Sequence, residues 1–323
     1  MRVVIYGVGA IGGVVAAALD RAGIETIGIA RGAMLAAMQD TGLRLRAPGI
    51  DELRDVPAVA SPAEVDWRAD DMILLCMKSQ DTQGALEDLR AAGVHDQPIF
   101  CAQNGVANER AALRMFPNVH GVTVMMPALY LVPGEVAVFT EPKLGIFDLG
   151  RYPGGTDHDD RRMAEALEAA NIGAFTHENV MASKRGKLLL NLVNILKATL
   201  GNSADPGPLK TAIRAEAEAV YRAAGLDWVE VDDSDPRRGE MMRPVDALPG
   251  VARVGGSTNQ SLLRGATRLE TDYLNGEIAL LGRLHGVPTP VNAALCRVAD
   301  HLTRSALKPG DLSLSQLEAL LSP

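Results

Sequence analysis

The stretch RVVIYGVGAIGGVVAAALDRAGIETIGIA (2–30) constrains this chain more than any other. Residues 2–6 are a short β-branched run of the kind that makes a fully buried strand. GVGAIG (7–12) follows at once, and residues 13–23 then read as a helix closed by Gly23. Residues 24–30 give the next strand. Strand, Gly-x-Gly-x-x-Gly, helix and strand inside about thirty residues is the setting that a dinucleotide-binding loop requires. Gly7 permits the tight turn, Gly9 lets the backbone approach a pyrophosphate, and Gly12 lets the helix lie close to the sheet. Val8, Ala10 and Ile11 complete the loop, and the helix N-terminus turns free N–H groups toward the phosphates. The same run has the outline of a signal peptide. Four glycines interrupt it before Asp20-Arg21, however, and no cleavage-site pattern follows.

The second strand leads into Arg31, with no acid until Asp40. An NAD enzyme places Asp or Glu there for the ribose hydroxyls, and an S-adenosylmethionine enzyme wants the same. An arginine suits a 2′-phosphate, so the expected cofactor is NADP(H). DDMILLCM (70–77) is another buried strand; it leads to Lys78-Ser79 and a helical stretch. QPIFCAQNGV (97–106) is a strand ending in Gln103-Asn104-Gly105. Open parallel sheets bind ligands at the carboxyl ends of their strands, which makes Lys78 and Asn104 candidate binding residues. Turn chemistry is the competing account of Asn104-Gly105. Residues 126–150 alternate short strands with Pro-Gly turns and are expected to extend the same sheet; a further helix and strand follow over 161–179.

Beyond 180 the strand signals stop, and the pattern is helical apart from the loop-like 227–256. A chain of 323 residues is comfortable for two domains. The expected architecture is an α/β Rossmann-like N-terminal domain (1–180) and an all-α C-terminal domain (181–323). RGKLLLNLVNILKA (185–198) reads as one buried helix, yet Lys187, Asn191 and Asn194 stand inside it. At about 100° per residue these three share a stripe, with Lys184 at its edge. The stripe faces either water or a polar ligand. Residues 257–287 begin as a helix whose Ser257 and Gln260 have capping-box spacing. Its start, with Ser257 and Thr258, is also a place for an anionic group. Glu270 lies among Leu269, Tyr273 and Leu274.

Composition removes other classes. A net charge of −8 with no basic cluster argues against nucleic-acid binding. No stretch has the length and apolarity of a membrane span. The three cysteines are scattered, which suits a reducing cytoplasm, and the six histidines show no metal-ligand spacing.

Taken in order, GVGAIG, Arg31, MKS (77–79), QNG (103–105), GKLLLN (186–191), TRLETDYLNGEI (267–278) and HGVPTPVN resemble the ketopantoate reductase (2-dehydropantoate 2-reductase) family across nearly the whole chain. The resemblance implies an NADPH-dependent reductase of a small branched 2-oxo acid, active in pantothenate biosynthesis as a cytoplasmic homodimer. It makes 1–180 the NADP-binding domain and 181–323 the substrate and dimerisation domain. It also implies that Gly7, Gly9 and Gly12 bind the pyrophosphate and Arg31 the 2′-phosphate, with Lys78 and Asn104 lining the cofactor and substrate side. Lys187 would be the general acid, and Asn191 and Glu270 would hold the substrate's hydroxyl and oxo groups. On this reading the polar stripe faces the ligand.

The chain departs from the family pattern on the substrate side. Arg185 stands where the family commonly has tryptophan, and Ile195 where it has a second asparagine, with Asn194 one place early. The family's SSMLQD is here STNQSL, so Thr258 replaces a serine and Leu262 an aspartate, with Arg264 an added cation. A different 2-oxo or 2-hydroxy acid is therefore an alternative substrate. A non-catalytic NADPH-binding regulator is the alternative from another class, but such a sensor has no need of Lys187 and Glu270.

Overall fold

A computed structural model describes residues 1–321. The chain divides into two compact units, Met1–Lys184 with Asp233–Arg253, and Arg185–Asp232 with Val254 onward. The first unit opens with β1 (Arg2–Tyr6), α1 (Ala10–Arg21), β2 (Thr26–Ile29), α2 (Gly32–Asp40), β3 (Leu43–Ala47), β4 (Ile50–Arg54) and β5 (Ala58–Val59). β6 (Asp71–Leu75), α3 (Thr82–Ala91), β7 (Ile99–Cys101), α4 (Asn108–Leu113) and β8 (Val119–Met125) follow. Next come β9 (Ala128–Leu129), β10 (Glu135–Val138), β11 (Thr140–Pro142), β12 (Ile146–Arg151), α5 (His158–Ala169) and β13 (Gly173–Thr176).

An eight-stranded sheet runs β13-β12-β8-β7-β6-β1-β2-β5. Its pairs are parallel except β12 against β8. Alternate residues of β1 serve opposite faces: Val3 and Ile5 join one apolar cluster and Val4 another. Helix α1 explains its own composition. It packs on the main sheet and also on a second sheet of order β4-β3-β10-β9, so Gly12 through Leu19 are all buried. A Cβ at Gly13 would stand 2.6 Å from Val136 of β10. Gly23 ends the helix with φ +75°, its N–H bonding to Asp20 and that of Ile24 to Leu19.

Residues 126–150 do not simply extend the main sheet. Only β12 joins it; β9 and β10 build the small sheet on β3, and β11 pairs elsewhere. The contiguous division at 180 also needs correction, because 233–253 belongs to the first unit. That segment contains a six-residue helix and a strand, Met242–Pro244, that pairs antiparallel with β11. Arg237 secures it through the buried Asp148 carboxylate, 2.6 Å away, which also accepts a hydrogen bond from Ser183.

Helix α6 (Val180–Asn191) crosses from one unit into the other. The second unit continues with α7 (Asn194–Leu200) and α8 (Pro208–Ala223). The six-residue helix Pro236–Met241 of the first unit is α9. The second unit then resumes with α10 (Ser257–Leu263), α11 (Asn275–His285), α12 (Pro290–Arg304) and α13 (Leu314–Leu321). Its described residues carry no strand. The single helix expected over 185–198 is broken at Leu192-Val193, and Asn275 donates to the Leu192 carbonyl at 3.1 Å. The helix expected from 257 stops at Leu263 before Gly265 (φ +72°), a left-handed position that a continuing helix cannot use. No helix among the described residues is long and apolar enough to cross a membrane.

Candidate active site

The glycine loop lies between β1 and α1, as its spacing predicts. Gly7 has φ +100°, and a Cβ there would stand 2.6 Å from the Met77 backbone nitrogen. A Cβ at Gly12 would run into the Gly7 carbonyl. A Cβ at Gly9, in contrast, would meet nothing within 4 Å. The loop is thus closed on the protein side and open where Gly9, the N-cap of α1, faces outward. The first-turn N–H groups of α1 have no partner within the helix, which suits an anion there. Val8 is different: it is buried in the core, 2.8 Å from where a Cβ of Gly28 would be, so its side chain is packing. Ala10 and Ile11 are partly buried against the same core. These residues fit a dinucleotide's pyrophosphate.

Arg31 is the N-cap residue of α2, with its side chain 85% exposed. The sequence shows no nearby acid, but the fold supplies one. Asp81, fifty positions on, lies 2.7 Å from the guanidinium. Lys78 and Asn104 both follow strand ends, β6 and β7, and both are half-buried. A polar network joins these two ends. The Asn104 carbonyl accepts from Ser79 Oγ (3.3 Å) and from Asn108 Nδ2 (3.2 Å). Gln103 donates to Thr82 Oγ1 at 3.0 Å, and Thr82 donates to Asn108 at 2.8 Å. Gly105, with φ +81°, makes the turn. Asn104-Gly105 is therefore turn chemistry in its backbone, whatever its side chain binds.

Lys184, expected at the edge of the α6 stripe, belongs to the interior of the first unit. Its ammonium is 2.5 Å from Glu109 and donates to the carbonyls of Cys101 (3.0 Å), Gln103 (2.9 Å) and Val122 (3.3 Å). Gly121 makes room for it, since a Cβ there would stand 3.0 Å from Val180 and 3.4 Å from Lys184 Cδ.

In the second unit Lys187 is half-buried and Asn191 is buried at the end of α6. Asn194 opens α7 and lies with its amide 3.5 Å from Asn191 Oδ1. Ile195 is in the core instead. Asn194 stays beside Asn191 across the helix break. α10 packs on α7, and a Cβ at Gly256 would stand 3.8 Å from Asn194 Oδ1. The two asparagines thus share one end of the unit with Ser257 and the buried Thr258. The capping box does not form: Gly256 is the N-cap, no side chain caps the helix, and Gln260 reaches back to the Gly255 carbonyl at 3.4 Å. Glu270 is buried in a 3₁₀ turn, Glu270–Tyr273, rather than in a helix, and this turn leads into α11. Asn275 at the start of α11 also bonds Asn292 at 3.0 Å, a structural pair that spacing alone does not reveal. Arg185 donates to the Asp227 carbonyl, and a Cβ at Gly186 would collide with the Val229 carbonyl, so segment 227–229 lies close against α6. Leu262 is buried and Arg264 is exposed.

Other reactive groups are accounted for structurally. Burial raises the thiols of Cys76 and Cys296 to about 12 and that of Cys101 well above its usual value, so none is a ready nucleophile. His120 comes together with Asp157 and Asp159 although no sequence spacing suggests it. Its two ring nitrogens already meet Asp160 (2.8 Å) and Asn118 (2.9 Å). Asp157 caps α5 and pairs with Arg151, so the cluster is a structural network around the buried His120.

Comparison with known proteins gives this arrangement its context. Residues 3–154 match the family model described as ketopantoate reductase PanE/ApbA, and residues 179–303 match its C-terminal counterpart. The 2-dehydropantoate 2-reductase of Mesorhizobium japonicum is 28% identical, over 92% of this chain and 97% of that protein. The crystal structure of a PanE/ApbA family ketopantoate reductase from Ralstonia eutropha superposes with a TM-score of 0.77 at 30% identity, covering 95% of this chain and 99% of that one. A D-mandelate dehydrogenase solved with NADH and anilino(oxo)acetate shares the fold, with a TM-score of 0.77 at 22% identity over 95% of this chain and 99% of that one. With two domain models matched in order over most of its length, this chain belongs to the ketopantoate reductase family of oxidoreductases.

Proposed function

We propose that this chain reduces a small branched 2-oxo acid to the 2-hydroxy acid with NADPH, and that the acid is ketopantoate, giving pantoate for pantothenate biosynthesis. The observation that carries the reading is the polar face of α6 in a member of this family: Lys187 half-buried and Asn191 buried one turn on, in a helix otherwise rich in leucine. Gly7, Gly9 and Gly12 would hold the pyrophosphate, Arg31 the 2′-phosphate, and Lys78 and Asn104 the nicotinamide side. The bound cofactor supplies the hydride for the keto carbon. As negative charge builds on the keto oxygen, the Lys187 ammonium stabilises it and then gives up a proton to it. Asn191, with Asn194 beside it, would orient the substrate, Ser257 and Thr258 would meet its carboxylate, and Glu270 would accept its hydroxyl. A cytoplasmic homodimer is part of the same reading and is supported by the family resemblance.

Two measurements test it. A buried carboxylate built to accept a hydroxyl is left unpaired when the hydroxyl is missing. Ketopantoate should therefore exceed 2-oxoisovalerate, which lacks the hydroxymethyl group, by about a hundredfold or more in kcat/KM. A dicarboxylic 2-oxo acid belongs in the same comparison because Leu262 and Arg264 change the family pattern. Equal or better rates on either competitor reject ketopantoate. The second measurement concerns the cofactor. Arg31→Asp removes a charge-assisted contact and adds a repulsion, so NADPH affinity should fall by about tenfold to a hundredfold. Unchanged NADPH binding would take the 2′-phosphate away from Arg31.

A further inference from the structure

Asp81 is in an unusual situation for an N-cap aspartate. It occupies the N-cap of α3, where a carboxylate ordinarily accepts from the first-turn N–H groups, yet it makes no side-chain cap bond. Its side chain, 35% exposed, turns instead to Arg31 at 2.7 Å. Its backbone is held by an N–H to Lys78 carbonyl bond of 2.9 Å, so its position is set by the turn that follows β6. The other nearby carboxylate, Asp88, accepts a hydrogen bond from the Tyr6 hydroxyl at 3.2 Å. Burial and then Asp88 push the Tyr6 phenol up to about 12, so it stays a donor across the neutral range. Arg31 and Asp81 thus form a pair at the carboxyl ends of β2 and β6, with Asp88 already engaged.

We infer that Asp81 is a specificity-determining residue that opposes NADPH by competing with the 2′-phosphate for Arg31. The inference rests on the cofactor reading above. A 2′-phosphate would compete for the one guanidinium N–H that Asp81 now accepts, and it brings negative charge toward that carboxylate. A ribose 2′-hydroxyl brings no charge, and a carboxylate in this region is a natural acceptor for it. The chain therefore pairs the arginine expected for a 2′-phosphate with a carboxylate from another strand end, and Asp81 narrows the preference that Arg31 creates.

The test is fluorescence titration of NADPH and of NADH into the full-length wild type, Asp81→Asn and Arg31→Ala, without substrate. Asparagine keeps the size of the side chain and removes its charge. Asp81→Asn should tighten NADPH by about threefold to tenfold, a scale set by a solvent-exposed ion pair plus one repulsion. NADH should bind no more tightly than before, and the NADPH gain should shrink at high salt. NADPH binding that is unchanged or weaker in Asp81→Asn overturns the inference. Arg31→Ala separates the two readings. If it loses NADPH affinity while Asp81→Asn has no effect, only the role of Asp81 fails. If it binds NADPH like the wild type, the placement of the 2′-phosphate fails and the competition fails with it.

Discussion

Lys187→Ala should lower kcat by about a hundredfold or more, the usual scale for losing a positioned general acid. NADPH affinity should stay close to that of the parent chain, because Lys187 belongs to the second unit and the glycine loop to the first. Alanine is the best helix former, and α6 is a regular helix at this point, so the substitution should not unfold it. The split between turnover and cofactor binding is therefore the informative result. It would be read by steady-state rates on ketopantoate together with NADPH titration of the same preparation. A variant with nearly full turnover would make Lys187 an ordinary helix lysine and remove the proton donor from the mechanism. A variant that lost both turnover and NADPH binding would point to a structural role instead.

The parts of this molecule that could be read from the chain are those whose cause is local. The glycine loop is one: Gly7 and Gly12 are required by contacts within the strand–loop–helix unit and with the neighbouring strand end at 76–77. The strands β1, β6 and β7 and the all-helical second unit were legible for the same reason, since apolar runs and helical periodicity are local signals. What could not be read depends on partners far along the chain. Asp81 meets Arg31 only because β6 lies beside β1, and β1 beside β2. The break between α6 and α7 involves Leu192 and Val193, neither of which is a helix breaker. It is stabilised by Asn275, eighty-three residues away. The return of 233–253 to the first unit rests on a strand of three residues and on scattered single contacts, among them Arg237 with Asp148, Arg46 with the Pro249 carbonyl and Arg253 over Phe139, too little to register as a pattern. The same limit applied to the stripe on α6. Periodicity placed Lys184 beside Lys187 but could not tell that Lys184 enters the first unit's core.

That core position sets the largest stability effect to be expected. Lys184 is 2% exposed and Glu109 0%, with their charged atoms 2.5 Å apart. Removing one partner of such a pair leaves the other charge buried and uncompensated, which costs about 3–5 kcal/mol. The two partners are not equivalent. Lys184 also donates to three backbone carbonyls, whereas among the described residues Glu109 meets no donor other than this ammonium. Lys184→Met should therefore lose about 3–5 kcal/mol, a large share of the roughly 5–15 kcal/mol that holds a typical domain. Glu109→Met should lose less, because the ammonium keeps its carbonyl acceptors. The double variant Lys184→Met, Glu109→Met should recover much of the loss, since a buried ion pair replaced by apolar side chains is often near neutral. Urea unfolding of the three variants, followed by circular dichroism, measures this directly. If Lys184→Met cost no more than about 1 kcal/mol, the scale of a surface pair, the two groups would have to be solvated. If Glu109→Met were the more damaging substitution, the carbonyls of Cys101, Gln103 and Val122 would not be sufficient partners for the lysine. The expected order, lysine variant below glutamate variant, is what ties the pair to those carbonyls and so to the turn that carries Asn104.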